Sequence, residues 1–280
     1  GWDGAMMSSG VLMGQYYPAE SPIHAMDPRA KIIIAVLFMV VLFVGNNFYA
    51  FAVMGAFALV AALLSRVPAG LLLKGLRPIA FIMVFTMGLH LFLTPGPAMF
   101  KIGPLTATWS GLVQGLFIGV RLVILIMFTS LLTLTTSPIE LTDGLEDILK
   151  PFAKLGVPAH ELAMMMTIAL RFIPTLLEEA ERIMKAQMAR GADFESGNMV
   201  KRAKNLVPLL VPLFISAFRR ADDLAMAMEA RCYRGGEGRT RMRQFRLHAR
   251  DYLAFLLTGL ATAGVIVLRL RFGPVIPRGI

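Results

Sequence analysis

Acidic residues are absent from most of this 280-residue chain. No Asp or Glu occurs between Asp27 and Glu140, none follows Asp251, and fifteen of the eighteen acids lie within residues 140–251. Only 16% of residues are charged, 56% are hydrophobic and the mean hydropathy is +0.67, which lies outside the norm for soluble globular proteins. The uneven distribution of charge predicts one part of the chain in a membrane and another in water.

Several kinds of site are also missing. Cys232 is the single cysteine, so an intramolecular disulfide is excluded and a reducing compartment is favoured for that region. No lysine is followed by Ser or Thr, as a nucleotide-binding P-loop requires, and the four histidines lack metal-ligand spacing. We therefore predict no catalytic residue, metal or cofactor in this chain, and any energy for its work must come from a partner.

Apolar segments without a carboxylate predict the membrane part. A chain that couples transport to protons or sodium commonly places ionisable groups in such spans, and here no acid is present. Residues 67–77, with Lys74 and Arg77, are expected to lie along the membrane interface. We predict an all-α integral membrane protein with about five transmembrane helices, in the segments 32–44, 48–65, 78–100, 111–136 and 252–268.

Basic residues orient these spans. Arg29 and Lys31 precede the first span, and Arg66, Lys74 and Arg77 lie between the second and third. By the excess of Lys and Arg in cytoplasmic loops, the N-terminus is predicted to be cytoplasmic in a multi-pass protein of the cell membrane. Three arginines after the last span resist this rule: either the tail departs from it, or the last span is not a simple crossing. They are Arg269, Arg271 and Arg278.

The ends and the basic cluster complete the predicted organisation. Residues 1–6 look like a remnant ahead of Met7, and the polar, Pro-rich stretch 15–29 does not fit a cleavable signal peptide. The basic cluster 239–250 precedes an apolar segment, where anionic lipid explains it without nucleic acid. The predicted domains are an N-terminal segment, transmembrane helices one to four, a cytoplasmic coupling domain, and a last transmembrane helix with its tail, over residues 1–27, 28–136, 137–251 and 252–280.

The cytoplasmic domain is predicted to hold three amphipathic helices. The first starts at Ser137-Pro138-Ile139-Glu140, a capping serine, first-turn proline and capping-box glutamate, and runs to about Lys154. The second begins near Pro158, should bend at Pro174 and ends at Gly191. The third runs to about Arg231, with a break or kink at Pro208 and Pro212. The second and third are long and are expected to cross.

The two long helices end alike. Residues 175–191 align with residues 216–232 at a constant offset of 41, which pairs Arg190 with Arg231. A duplicated helix with a duplicated terminal arginine suits a partner that is itself two-fold. Alternatively, each arginine only offsets the helix dipole, worth roughly 0.3–1 kcal/mol.

Methionine is abundant, with 19 residues. Methionines on amphipathic helices are most simply core filler, but as a group they could form an adaptable docking face, because the thioether side chain repacks against varied partners. The candidates for docking a partner are Met164, Met165, Met166, Met184 and Met188. Arg121 is a cation within the fourth span, and snorkelling toward the outer interface is favoured over burial inside the bundle.

Several motifs in this order resemble those of the transmembrane T component of energy-coupling-factor (ECF) transporters, the EcfT/CbiQ-like family. The similarity runs from about Gln15 to Tyr233. The motifs are Gln15-Tyr-Tyr-Pro-Ala-Glu-Ser-Pro-Ile-His24, Asp27-Pro28-Arg29, Leu170-Arg-Phe-Ile-Pro174, Ala186-Gln-Met-Ala-Arg-Gly191 and Glu229-Ala-Arg-Cys-Tyr233.

The resemblance implies partners and site residues. A T component joins a membrane-embedded, substrate-binding S component to two ABC-type ATPases, which bind the ATP. Its two coupling helices cross in an X, and an Ala-Arg-Gly motif at each end docks on one ATPase. By position these motifs are Ala189-Arg190-Gly191 and Ala230-Arg231-Cys232. Cys232 replaces the family's glycine, so a left-handed helix cap is less expected there.

Three function classes follow. The first is a non-enzymatic coupling subunit for uptake of a vitamin or transition metal, with the substrate set by the S component. The second is a conventional ABC permease subunit with its own substrate path, which would need a dimer of this chain. The third, an intramembrane enzyme, is disfavoured by the missing acids and histidine constellations.

Overall fold

A computed structural model describes residues 16–102, 105–192, 194, 199–235 and 245–273. The described chain is mostly helical, which confirms the prediction of an all-α membrane protein. It divides into two compact units. The bundle unit holds residues 16–145 and 245–273, and the long-helix unit holds residues 146–235.

Five long helices build the bundle unit, with a short hairpin between the third and fourth. The hairpin strands are β1 (Ala98–Ile102) and β2 (Leu105–Thr108), paired antiparallel. A shorter helix, α5 (Pro138–Leu149), starts in this unit. The long helices are α1 (Pro28–Val44), α2 (Phe48–Ser65), α3 (Ala69–Leu93), α4 (Trp109–Thr135) and α8 (Ala249–Phe272).

Two sequence expectations for this unit are wrong. The third span does not start at Pro78, because α3 runs from Ala69 through Pro78 to Leu93, and the interfacial placement of residues 67–77 stays a prediction. A proline removes only one backbone hydrogen bond, and membrane helices commonly tolerate that loss. The third span also ends at Leu93 rather than Phe100, since the hairpin follows it.

Five helices of the described residues are long and apolar enough to cross a membrane. They include α6 (Ala159–Ala189), which the sequence assigned to the cytoplasm, and omit the 17-residue α1. The C-terminal half of α6 carries Glu178, Glu179, Glu181, Arg182 and Lys185, so its apolar character lies in the N-terminal half. The cytoplasmic placement of residues 137–251 therefore stays a prediction.

The core of the bundle unit is centred on Phe38 of α1. Its ring stacks on Phe128 of α4 with 3.8 Å between ring centroids, and the ring of Phe57 of α2 lies 5.8 Å away. Gly115 lets α4 approach α3, because a Cβ there would lie 2.9 Å from the Cγ of Met87. Aromatic and small residues thus set how closely these helices pack.

The starts of α1 and α8 meet at one end of the bundle unit. Asp27 caps α1 by accepting a hydrogen bond from the backbone N–H of Arg29 at 2.9 Å. The fully buried Asp251 accepts from the backbone N–H of Asp27 at 3.0 Å and from that of His248 at 2.7 Å. Lys31 donates to the carbonyl oxygen of Thr135 at 2.8 Å, which adds the end of α4. We call this the basic end.

The opposite end holds the α1–α2 loop. Asn47 donates from its side chain to the carbonyl oxygen of Leu268 at 3.2 Å, so α8 runs the full length of the unit. Helix α8 is thus long and apolar enough to be a full crossing, and the side of the membrane on which Arg269 and Arg271 lie stays a prediction. Arg278 lies outside the described residues.

Arg121 of α4 reaches this same loop. Its guanidinium donates to the side-chain oxygen of Asn46 and lies 5.5 Å and 5.4 Å from the ring centroids of Phe43 and Phe51. The charge is thus directed toward a polar loop while its face contacts aromatic rings. The guanidinium thus lies between the α1–α2 loop and the core residue Phe51, and snorkelling to the outer interface stays a prediction.

Two long helices dominate the long-helix unit, α6 (Ala159–Ala189) and α7 (Met199–Ala230). Prolines produce two departures from the sequence predictions. The helix expected to reach Lys154 ends at Leu149 and tightens into a 3-10 helix, Lys150–Leu155, because Pro151 has no N–H to donate. The expected break or kink at Pro208 and Pro212 is not a break, since both prolines lie inside a continuous α7; a kink there stays a prediction.

Candidate functional site

The two long helices contact each other through a polar group at their crossing. Glu179 of α6 accepts a hydrogen bond from Ser216 Oγ of α7 at 2.9 Å and forms an ion pair with Arg220. The pair is about one-third exposed, and solvent screening makes the contribution of such pairs to stability small. The ion pair instead determines which turns of the two helices contact each other.

The crossing pair occupies equivalent positions of the repeat. Glu179 and Arg220 are 41 residues apart, which is the offset that aligns the two helix ends. A contact between equivalent positions is what a two-fold axis through the crossing requires. Arg190 and Arg231 each lie eleven residues beyond this pair, or roughly 16 Å along a helix. The repeat is therefore present in the geometry as well as in the sequence.

The helix ends repeat the same backbone hydrogen bonds. At the end of α6, the N–H of Gly191 donates to Met188 at 2.9 Å and that of Ala192 to Gln187 at 3.0 Å. At the end of α7, the corresponding bonds are Cys232 to Glu229 at 2.8 Å and Tyr233 to Met228 at 3.0 Å. Every donor and acceptor is displaced by 41 positions, so both arginines precede the same kind of cap.

The expectation that Cys232 disfavours a left-handed cap is wrong. Cys232 has φ 54°, in the same left-handed region as Gly191 at φ 88°. The Cβ of a non-glycine residue costs roughly 1–2 kcal/mol in this conformation. The two capping bonds satisfy carbonyls that would otherwise have no partner at the helix end, and they hold Cys232 in place.

Replacing Cys232 with glycine tests this strain. Cys232→Gly removes the clash of the Cβ, so the last turn of α7 should become more stable by up to about 1 kcal/mol. Ala230→Gly, two residues earlier and inside the helix, should destabilise the same turn by about 1 kcal/mol. Amide hydrogen exchange of residues 226–233 measures both effects, and lower protection in Cys232→Gly would contradict the assignment.

Both terminal arginines present their side chains to solvent. Arg190 and Arg231 are exposed, and neither guanidinium has a hydrogen-bond or ion-pair partner in the described part of the chain. Nearby Ala189, Ala230, Gly191 and Cys232 are exposed as well. An unpaired guanidinium beside small residues is able to enter a groove and donate a planar pair of hydrogen bonds to a carboxylate or to carbonyls.

The candidate methionines on α6 divide by exposure. Met165, Met166 and Met188 are exposed, whereas Met164 and Met184 are partly buried. Met165, which lies near the start of α6, has the most exposed side chain of the three, at 54%. The exposed members are the better candidates for a docking face.

An exposed apolar stripe on α7 escaped the sequence analysis. Leu206, Leu210, Phe214 and Phe218 recur every four residues, and the rings of Phe214 and Phe218 lie 6.1 Å apart. Phe214 and Phe218 are 62% and 65% exposed. Helical spacing alone does not distinguish an unpartnered face from a core face, because both show the same period. An apolar stripe left exposed is typical of an interaction surface.

The sequence of this chain matches one known protein family. A family described as "CbiQ: Cobalt transport protein" matches residues 19–242, which include every helix from α1 to α7 and both arginine motifs. The chain belongs to the CbiQ family. CbiQ-family membership confirms the resemblance drawn from the motifs and identifies a transmembrane component of a transporter.

Three proteins with similar sequences have the same name. A protein of Thermosediminibacter oceani is 60% identical over 259 residues, covering 92% of this chain and 98% of its own length. One of Acidaminococcus fermentans is 54% identical over 269 residues, 95% of this chain and 99% of its own, and one of Bacillus subtilis is 54% identical over 239 residues, 85% and 90%. Each is named "Energy-coupling factor transporter transmembrane protein EcfT".

Proposed function

We propose that this chain is the non-enzymatic coupling subunit of an ECF-type ABC importer. Its two long helices transmit the motion of two cytoplasmic ATPases to a membrane-embedded, substrate-binding S component that imports a vitamin or transition metal. The N-terminus and the long-helix unit lie on the cytoplasmic side of the cell membrane. ATP is bound by the ATPases, and no cofactor belongs to this chain.

One observation carries the proposal. Two helices contact each other at repeat-equivalent positions and end in the same cap, each with an exposed arginine eleven residues from the crossing. A pair of similar ATPases offers two similar grooves about a two-fold axis, and two equivalent helix ends match that symmetry. The helix dipole favours a cation at the C-terminus of each helix, but it does not require the two helices to contact each other at equivalent residues.

The copy number separates this function from a conventional permease. One chain already carries both motifs, so we expect one copy of it with two ATPases and one S component. Native mass spectrometry of the complex purified through a tag on this chain measures the ratio. Two copies of this chain per ATPase pair, without a separate substrate-binding subunit, would support the permease instead.

Charge in the exposed methionine face should separate the two kinds of partner. Met165→Glu places a carboxylate in an apolar contact, where its desolvation is costly, and we expect at least a tenfold loss of S-component binding. Met165→Leu, which conserves volume, should bind as the unchanged protein does. A pull-down reports both subunits at once: ATPases should remain in Met165→Glu, and loss of the ATPases with the S component retained would reverse the assignment.

A further inference from the structure

Two cavities adjoin at the basic end of the bundle unit. The first, of about 510 Å³, is lined by the N-terminal segment with Arg66 and Arg250. The second, of about 480 Å³, has an apolar lining that includes Val60 and Leu257. Pro22 and Arg250 line both. The first, which we call the arginine cavity, thus adjoins the apolar one.

The arginine cavity carries positive charge. Arg66 and Arg250 are both exposed, and Arg250 has no hydrogen-bond or ion-pair partner among the described residues. Arg66 makes one long bond of 3.4 Å to the carbonyl oxygen of Glu20, which leaves most of its donors available. Glu20 lines the cavity too, so the two arginines leave a net positive charge.

Two other basic residues line these cavities, but neither is available to bind an anion. His24 lines the arginine cavity, and burial lowers its pKa from the ordinary value, so it is neutral at pH 7. Lys31 lines the apolar cavity but uses its three N–H donors on His24, Thr135 and Thr136. The arginines are therefore the groups placed to bind an anion.

The apolar cavity has the depth of one membrane leaflet. Its lining on α8 extends from Arg250 to Ala261, or roughly 16 Å along the helix. Half of a 30 Å hydrocarbon core is about 15 Å. Apolar side chains beside it are open, with Leu253 at 59% exposure. The groove starts at Arg250 and extends about as far along α8 as an acyl chain extends into one leaflet.

We propose that an anionic phospholipid binds here, with its phosphate between Arg66 and Arg250 and an acyl chain in the apolar groove. The charge at the mouth argues for this occupant. Free phosphate would contact the arginines but leave the apolar groove unfilled, and a helix of a protein partner is the alternative occupant that the cross-linking experiment below tests. The basic end faces the cytoplasm by the charge rule, where anionic lipids concentrate.

Lipid retention tests the site. The full chain is reconstituted in nanodiscs of equal phosphatidylglycerol and phosphatidylcholine, and native mass spectrometry counts the lipids that stay bound. We expect the unchanged protein to retain phosphatidylglycerol preferentially. Arg66→Gln/Arg250→Gln should reduce that retention about thirty-fold, Arg66→Lys/Arg250→Lys should keep part of it, and Arg271→Gln, at the other end of α8, should change nothing.

A second variant tests the groove separately. Ala56 is exposed and lines the apolar cavity, so Ala56→Trp should fill the cavity without disturbing the core and reduce retention of both lipids. Equal retention of the two lipids by the unchanged protein would overturn the proposal. So would competition by inorganic phosphate, an equal loss in Arg271→Gln, or cross-linking of the S component to a cysteine at position 56 in the assembled complex.

Discussion

Removing both terminal arginines should abolish coupling while leaving the fold intact. In Arg190→Ala/Arg231→Ala the helices lose only the dipole contribution of each cation, roughly 0.3–1 kcal/mol. A desolvated, hydrogen-bonded charge at an interface costs roughly 2–5 kcal/mol when truncated. Each single variant should therefore weaken ATPase binding about thirty-fold or more. The double variant should reach the membrane but neither hold the ATPases nor support uptake.

Matched arginines control for lost charge. Arg182 of α6 and Arg219 of α7 are exposed on the same two helices, and Arg182→Ala/Arg219→Ala should keep the ATPases. Lysine at positions 190 and 231 should restore binding only partly, because an ammonium lacks the planar pair of donors. Wild-type assembly and uptake by the double alanine variant would mean that the two arginines are only helix-end charges.

Reversing the charge at the helix crossing should also disrupt coupling. Glu179→Arg places two arginines together where an ion pair and a serine hydrogen bond now fix the register. The arginine motifs lie roughly 16 Å from this point, so a 10° change in crossing angle moves each end by roughly 3 Å. We expect uptake to fall about tenfold or more, although the ion pair itself contributes little to stability.

The exchanged pair should recover function. In Glu179→Arg/Arg220→Glu the attraction is restored across the same positions, so uptake should return to near the unchanged level. Glu178→Arg is the control, because Glu178 is 68% exposed and is 4.0 Å from Arg182 of its own helix. A double variant as impaired as Glu179→Arg would show that the pair does not set the crossing.

The repeat and the helix starts were accessible from sequence. Ser137 accepts a hydrogen bond from the N–H of Glu140 at 3.3 Å, as the capping serine predicted, and Gly191 ends α6 in the left-handed region. Both depend on local chemistry, in which a side chain or a glycine satisfies the conformation of its own neighbours. The offset of 41 likewise required only the order of residues.

The features that the sequence did not predict depend on contacts between distant residues, or on local interactions that oppose each other. Cys232 adopts a conformation that its side chain disfavours, because two capping bonds outweigh the strain. Pro78 lies inside α3, although the third span was predicted to start there. The meeting of Glu179 with Arg220, and the exposure of Phe214, follow from how α6 and α7 pack, which no local pattern contains.

Site-specific photo-cross-linking at positions 190 and 231 tests most directly whether the two helix ends each dock an ATPase. A photoreactive residue replaces one arginine at a time in cells that express the whole transporter, and the captured subunit is identified by mass spectrometry. We predict that each position captures an ATPase subunit through the same kind of groove, whereas position 219 captures none. Capture of the S component, or of no ATPase at either position, would contradict the coupling function.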